Sequence, residues 1–588
     1  MCGINGILRL AQSAPAIDRE ELLRSRDAMT SRGPDGAGAW TSEDGRVALA
    51  SRRLAILDLS AAGAQPMASA DGRFHAVLNG EIYNFAELRR ELEAEGARFR
   101  SRSDTEVVLA LYAREGAALL PRLRGMYALA VWDDREKSLL LARDPLGIKP
   151  LYLANENGCL RFASQVKALE AGGAISRETD PAGVAGFLLW GSVPEPLTIR
   201  KSVRALPPGH HLIVREGRLG APVASGLPAV AAMAPAAAIE DSVRAHLVSD
   251  VPVAVFLSAG LDSGLIAALA CRHLPEPPAT FTLRFDALLG TPEDEGPLAA
   301  EVARALGTRH VERTLRAGEL SALWPGAVAA MDQPSIDGFN TWVVSRAAHE
   351  AGLKVVLSGL GGDEIFGSYP SFADVPRLAR SARRAARIPG LGALWPPAAR
   401  LLAADRPKLA GLLRYGTTLP GAYFLRRGLF LPEELPALIG RDAAEEGLRR
   451  YDPVADAAGA LADANGFARD PWTSVHALET ACYMRNQLLR DSDWASMAWS
   501  VELRVPLVDA WLSARLAAGG FEPARSAGKA ALVRRVAPEL PEALWRRPKT
   551  GFYIPVAEGM RPELAARRPG ERSRWLALRI LEELGVVR

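Results

Sequence analysis

A cysteine at position 2 offers more chemistry than any other single residue of this sequence. Removal of the initiator Met makes it the first residue of Cys2-Gly3-Ile4-Asn5-Gly6. It then carries a thiol nucleophile and a free α-amine together. The amine's unperturbed pKa of roughly 7.7–8.0 suits general-base work near neutral pH. The thiol can attack a carboxamide and form an acyl-thioester. Three further clusters fit that chemistry. Arg53, in Ser51-Arg52-Arg53-Leu54, offers a guanidinium for an α-carboxylate. Asn79-Gly80 offers a side-chain amide and a backbone N–H, the parts of an oxyanion hole. Asp104 offers a carboxylate for an ammonium group. Each has a plainer reading: a start-codon accident for Cys2, a surface charge for Arg53, a tight turn for Asn79-Gly80 and a helix cap for Asp104.

A second constellation lies past residue 250. The apolar run from Val251 to Leu257 leads into Ser258-Ala259-Gly260-Leu261-Asp262-Ser263 and then a helical stretch, Leu265 to His273. A strand, a small-residue turn and a helix aim backbone N–H groups at a phosphate. No Gly-Lys-Ser/Thr follows, so this is not a Walker loop. Asp262 suits Mg2+ bridging to phosphates. A later strand, Leu353 to Leu357, runs into Ser358-Gly359-Leu360-Gly361-Gly362-Asp363-Glu364. The plainer alternative is a pair of glycine turns in a nucleotide-type core.

The elements that must position these residues fall into two groups. In residues 2–205, short strand-like segments (Val47–Ser51, Leu54–Leu59, His75–Leu78, Tyr127–Trp132, Ser138–Ala142) alternate with helical stretches at Phe85–Glu95 and Thr105–Glu115. This pattern predicts an α+β domain with stacked sheets. Residues 206–234 are rich in Pro and small residues and read as a linker. From 235 to 570, strand and helix alternate (Ala279–Phe285, a helix over 297–306, Leu353–Leu357), which predicts a doubly wound parallel α/β domain with its ligand at the strand carboxyl ends. Residues 371–470 and 553–588 carry Ala, Leu and Arg at helical spacing and read as added helices, with 571–588 a C-terminal tail.

Composition sets limits on partners. The 588 residues are 48% hydrophobic and 24% charged, with 71 basic and 68 acidic side chains and a net charge of +3. No nucleic-acid or membrane partner is implied. Cys2, Cys159, Cys271 and Cys482 are too scattered for a disulfide framework or a metal site. No leader pattern and no long uncharged apolar run occurs. A cytoplasmic protein is expected.

Taken in order, the motifs resemble a known family. Cys2-Gly3-Ile4, Arg32-Gly33-Pro34-Asp35-Gly36, Arg53-Leu54, Asn79 to Asn84, Ser103-Asp104 and Arg143 to Pro150 resemble the class II glutamine amidotransferase domain, an N-terminal nucleophile hydrolase sandwich (αββα). Leu257 to Ser263, Ser358 to Gly367, Ala495 to Ala498, Val501 to Asp509 and Lys549 to Phe552 resemble the ATP-pyrophosphatase domain of asparagine synthetases. The resemblance implies that Cys2 is the nucleophile, that Arg53, Glu81 and Asp104 bind glutamine, and that Asn79 and Gly80 hold the oxyanion. It implies that Leu257, Ser258, Gly260, Asp262, Ser263, Leu283, Ser358 and Gly359 meet ATP. Asp262 and Asp363 would carry Mg2+, and Lys529 and Lys549 would neutralise phosphate charge. Glutamine, ATP and a carboxylate acceptor are the implied partners, and homodimers are common in the family. Ser51 stands where relatives often have His, and Ala259 where Ser or Gly is usual.

The implied reaction forms an acyl-adenylate and pyrophosphate, then an amide and AMP, with ammonia led inside the protein through an apolar tunnel. Leu360 departs from the pattern. Asparagine synthetases carry a Glu there that assists adenylate formation and ammonia attack, and Leu transfers no proton. Either Glu364 or Asp337 substitutes, or the acceptor is not aspartate. The segment Asp332 to Trp342 is placed to shape the acceptor pocket. Asparagine from aspartate is one expectation. An acceptor carboxylate on an envelope sugar or secondary metabolite is another. An intramolecular amide-forming cyclase and a non-catalytic scaffold that binds glutamine or ATP are the remaining alternatives.

Overall fold

The computed structural model describes residues 2–392, 394–395, 407–464, 468–519, 521, 528–547 and 569–586. The first half stacks two sheets. One runs, by neighbouring strands, Val203–Ala205, Tyr152–Glu156, Cys159–Ala163, Cys2–Arg9, Val47–Arg53 and Gly36–Thr41. The other contains His210–Arg215, Ser138–Arg143, Gly125–Asp133, Phe74–Ile82 and Met67–Ala68, with Arg218–Leu219 at one edge. Ile4, Leu49 and Phe162 from the first sheet meet Val77, Ala130, Trp132 and Leu141 from the second in one buried layer. Helices Phe85–Ala94 and Asp104–Glu115 cover the outer face of the second sheet with Leu88, Leu92, Val107 and Leu111. Helices Arg19–Asp27 and Val166–Gly172 cover the first, through Leu22 and through Val166 and Leu169. The layers are therefore αββα.

Two expectations differ from what is observed. Leu54–Leu59 is an irregular loop, with Asp58 at a positive φ of 49°. Its Leu57 and Asp58 carbonyls accept from Arg53 and its Ile56 carbonyl from Asp250 N–H, so they are not free for a ladder. Residues 210–224, expected within a linker, lie on the second sheet: Leu212 pairs with Leu141 and Val214 with Leu139. The alternation of His210–Arg215 buries Leu212 and Val214 while Ile213 stays exposed, the period-2 signature of a strand with one face buried.

The second half is built on a parallel sheet ordered Arg309–Leu315, Ala279–Phe285, Val253–Phe256, Val355–Leu357 and Glu502–Arg504. Helix Leu261–His273 packs on one face, and Phe339–Glu350 on the other. The order steps outward in both directions from Val253–Phe256, which places a crevice at the carboxyl ends of Val253–Phe256 and Val355–Leu357. Among the described residues no helix is long and apolar enough to cross a membrane.

The halves share one core. Leu54, Ile56, Tyr83, Met126 and Ile148 from the first pack in the same cluster as Leu257, Leu357, Val505 and Leu507 from the second. His246 lies in this seam, its ring 4.2 Å from that of Tyr83, with Nδ1–H donating to the Ser242 carbonyl at 2.8 Å. Burial is the largest influence on it. Asp509 opposes that influence, Arg124 and Arg504 add to it, and the pKa falls from 6.5 to about 4. Above pH 6.5 both folded and unfolded chains carry a neutral imidazole. As pH falls from 6.5 to about 4 the unfolded chain takes up a proton that the folded one refuses, so stability declines and then levels off. His246→Gln is expected to flatten that part of the stability–pH curve in denaturant titrations. An unchanged slope would show that the acid sensitivity arises elsewhere.

Candidate active site

Strand register assembles the first site. Cys2 and Arg53 are directly opposite across the antiparallel pair Cys2–Arg9 and Val47–Arg53. The Cys2 backbone nitrogen donates to Asn79 Oδ1 at 3.2 Å, which ties the first sheet to the second. Asn79 Nδ2 is left with one long contact, 3.5 Å from Ser164 Oγ. Gly80 has φ +140°, and a Cβ there would lie 1.9 Å from the Met126 carbonyl oxygen, so no other residue fits. Asp104 Oδ2 accepts from the Ile82 N–H at 2.9 Å, which draws the start of helix Asp104–Glu115 onto the strand carrying Glu81. The six residues expected around glutamine (Cys2, Arg53, Asn79, Gly80, Glu81 and Asp104) thus converge.

Arg53 is pre-positioned. Its Nη1 donates to the Ser60 carbonyl at 3.0 Å, and its Nη2 to the carbonyls of Leu57 (3.1 Å) and Asp58. Gly63 makes room, since a Cβ there would come within 2.2 Å of Nη2. Among the described residues this leaves Nε–H and one Nη1 proton, on different edges of the guanidinium, for a further acceptor. Ser51, the departure from the family pattern, donates to the Gln65 carbonyl at 2.8 Å, while Gln65 Oε1 accepts from Leu78 N–H at 2.7 Å. Ser51 therefore braces the strand that bears Asn79.

Electrostatics follow burial. Burial pushes the Cys2 thiol up, opposed by Leu54 N–H and Arg53. Asp104 is also raised by burial, opposed by the Ile82 and Thr105 amides. Glu81 is raised well above the carboxylate range by burial and by Glu502, which reaches in from the second half. Glu502 keeps its charge because Arg504 Nε donates to it at 2.5 Å. Burial works against that charge, but the chain's amino terminus, Arg504 and Lys149 outweigh it and hold Glu502 at about 2.

The second site gathers at the carboxyl ends of the parallel strands. Lys529 Nζ donates to Asp262 Oδ2 at 2.5 Å and to Asp363 Oδ1 at 2.9 Å, so residues far apart in sequence meet at one ammonium. Burial works against the Lys529 charge, but Asp262 and Asp363 outweigh it and raise its pKa. Glycines permit this approach. A Cβ at Gly362 would lie 2.2 Å from Asp262 Oδ1, and one at Gly359 2.8 Å from Asp262 Cβ. Ser258 Oγ and Ser263 Oγ are 2.9 Å apart, and Gly260 N–H donates to Ser258 Oγ at 3.2 Å, which shapes the turn before helix Leu261–His273. Ser358 N–H donates to the Arg504 carbonyl at 2.8 Å. Leu257 and Leu283 are buried in the strands behind.

Leu360 is half-buried against the shared core, with an N–H 3.4 Å from Ser358 Oγ. Glu364 is buried; burial and Asp363 push it up to about 7, and Tyr369 Oη donates to its Oε1 at 3.0 Å. Asp337 lies on a different wall, facing a cavity. Lys549 lies outside the described residues. The residue that sequence reasoning missed is Asp493, which takes Arg32 Nη1 at 2.7 Å and Nη2 at 3.0 Å, with Lys149 Nζ 3.4 Å away. It sits just ahead of the Ala495–Ala498 motif, but nothing local points its side chain at the other half.

A glutaminase-type nucleophile sandwich joined to a nucleotide-type parallel sheet defines a two-part amidotransferase. Residues 1–221 match the family described as "Glutamine amidotransferase domain", and 235–571 the family described as "Asparagine synthase". A Mycobacterium tuberculosis protein named "Putative asparagine synthetase [glutamine-hydrolyzing]" is 33% identical, over 95% of this chain and 88% of that one. Asparagine synthetase [glutamine-hydrolyzing] 1 of Bacillus subtilis is 31% identical, over 96% and 88%. Amidase chry2 of Gibberella zeae is 32% identical, over 60% of this chain and 56% of its own. The chain belongs to the glutamine-hydrolysing asparagine synthetase family and is a glutamine-dependent amide ligase of that type.

Gly80→Ala tests the strand geometry of the first site. The added methyl cannot coexist with the Met126 carbonyl, so a loss of at least about 2 kcal/mol in unfolding free energy is expected. Wild-type stability in urea would show that this φ is not required.

Proposed function

We propose that Cys2 hydrolyses glutamine and that the ammonia amidates a carboxylate which the second site has activated with ATP. The observation that carries this reading is the convergence of Asp262, Asp363 and Lys529 beside a turn suited to phosphate, within one core with the Cys2 site. At the first site the Cys2 α-amine takes the thiol proton and sulfur attacks the glutamine carboxamide. Asn79 Nδ2 and Gly80 N–H meet the oxyanion. Arg53 holds the α-carboxylate and Asp104 the α-amine, with Glu81 alongside. Ammonia leaves with a proton, and water releases glutamate from the thioester.

At the second site the acceptor carboxylate oxygen attacks the α-phosphorus of ATP. The bond to pyrophosphate breaks and an acyl-adenylate forms. Ammonia then attacks the acyl carbon, the bond to AMP breaks, and a proton is lost. Leu257, Leu283, Ser358 and Gly359 would flank the nucleoside, while the 258–263 turn grips phosphate. Asp262 and Asp363 fit a Mg2+ ion, which is commonly held by one or two carboxylates plus substrate phosphates. Such an ion would offset charge on the departing pyrophosphate. Lys529 already sits between the two carboxylates and is free to turn onto the phosphates, with Lys549 expected beside it. The apolar lining of the shared core (Leu54, Ile56, Met126, Leu357) favours passage of neutral ammonia between the sites over its loss as ammonium.

Two of the three relatives reported above are named asparagine synthetases, and asparagine is the amide of aspartate. Leu360 favours a second reading, a different carboxylate, because its side chain supplies no proton and packs against the core. With free ammonia in place of glutamine, Cys2→Ala is expected to keep AMP formation within about twofold of wild type. With glutamine it should lose at least about 1,000-fold. Loss of both activities in a folded protein would contradict the two-site reading.

A further inference from the structure

A cavity of about 400 Å3 opens beside Trp190 and Ser192, at the end of helix Pro181–Trp190. Asp337, Lys408, Arg427, Tyr483 and Gln487 are among its walls. One wall is a π-helix, Glu479–Leu489, an uncommon conformation that recurs at functional sites. The cavity's charges are not balanced locally. Arg427 is committed to Glu479 at 2.9 Å and Arg426 to Asp374 at 3.1 Å. Lys408 Nζ donates to the Gly428 carbonyl at 2.7 Å and, among the described residues, reaches no carboxylate. Asp337 Oδ1 accepts from Asn340 Nδ2 at 2.9 Å and, among the described residues, reaches no cation within ion-pair distance. Lys408 and Asp337 thus face a single cavity and neither forms an ion pair among the described residues, although Arg427 acts on Asp337 and Glu434 on Lys408 at longer range. Burying them this way is costly unless a ligand pairs with both.

The cavity is wired to the reacting end. The Tyr483 ring lies 5.9 Å from the Tyr369 ring, and Arg427 caps both, at 3.9 Å and 4.6 Å. Tyr369 Oη donates to Glu364, the neighbour of Asp363. A ligand seated against Tyr483 therefore abuts the wall that carries Glu364. Cavities of roughly 300–1,000 Å3 hold drug-sized molecules, more than a four-carbon amino acid fills.

We propose that this cavity is the acceptor pocket, and that it takes a carboxylic acid longer than aspartate which also carries an anionic and a cationic group. The anionic group pairs with Lys408 and the cationic group with Asp337, while the carboxylate to be activated points towards Glu364. This rests on the ATP-dependent amidation proposed above.

The test uses the full-length enzyme with ATP, Mg2+ and either glutamine or ammonia, following AMP. The acceptors are aspartate, glutamate, 2-aminoadipate and 2-aminopimelate, with adipate and pimelate as partners that lack the amine. The expected result is that kcat/KM rises from aspartate to the longer amino diacids and falls about tenfold or more without the amine. Lys408→Met and Asp337→Asn should each raise KM for the best acceptor about tenfold or more, with a smaller change in kcat. Preference for aspartate, indifference to the amine, or variants with unchanged acceptor KM would overturn the pocket assignment and leave the ligase reading standing. No AMP from any acceptor, with glutamine still hydrolysed, would overturn both.

Discussion

Asp493 is the residue on which both sites depend. It lies on the Arg490–Met497 helix of the second half, yet its partners, Arg32 and Lys149, come from the first. All three are buried, and a buried charge without its partner is strongly destabilising. The halves therefore cannot separate without exposing or orphaning these groups. Arg32 also donates from Nε to the Cys2 carbonyl at 3.2 Å, so the position of Cys2 is set in part by a carboxylate of the second half. Burial works against the Asp493 charge, but Arg32 and Lys149 outweigh it and hold the carboxyl below its usual range.

A second link runs parallel to the first. Arg504 pairs with Glu502, lies 5.4 Å over the Tyr83 ring, and gives its own carbonyl to Ser358 N–H. Glu502 in turn acts on Glu81, next to Asn79 and Gly80. Arg504 favours the charge on Glu502, while burial and Glu502 push Glu81 up. One short strand of the parallel sheet thus reaches Tyr83, at the end of the strand bearing Asn79 and Gly80, on one side and the loop after Leu357 on the other. Apolar packing from Leu54 to Leu507 fills the space around these charges and keeps water from weakening them.

Much of this was legible from sequence wherever the signal was local. Cys2, Asn79-Gly80 and Asp104 sit in short motifs whose chemistry is written in adjacent residues. The Gly359–Gly362 cluster marked a turn after a strand, but that Asp262 lies against its glycines is visible only in the structure. Other features depend on distant partners. Leu54–Leu59 has strand-forming residues, but its Leu57 and Asp58 carbonyls are claimed by Arg53, so the segment stays a loop. His210–Arg215 lies among prolines and glycines, and only pairing with Ser138–Arg143 makes it a strand. Asp493 and Glu502 acquire meaning from groups more than a hundred residues away, Arg32 and Lys149 for the one and Glu81 for the other. Periodicity and motif spacing carry no record of such pairings.

In the proposed reaction, ammonia freed at Cys2 reaches the adenylate inside this shared core. The most direct measurement supplies glutamine labelled with 15N in its amide together with excess unlabelled ammonium, and reads the label in the amide product by mass spectrometry. The expected result is product nitrogen drawn almost wholly from glutamine. Product labelled in proportion to the mixed ammonia pool would contradict it, because the nitrogen would then have passed through solvent.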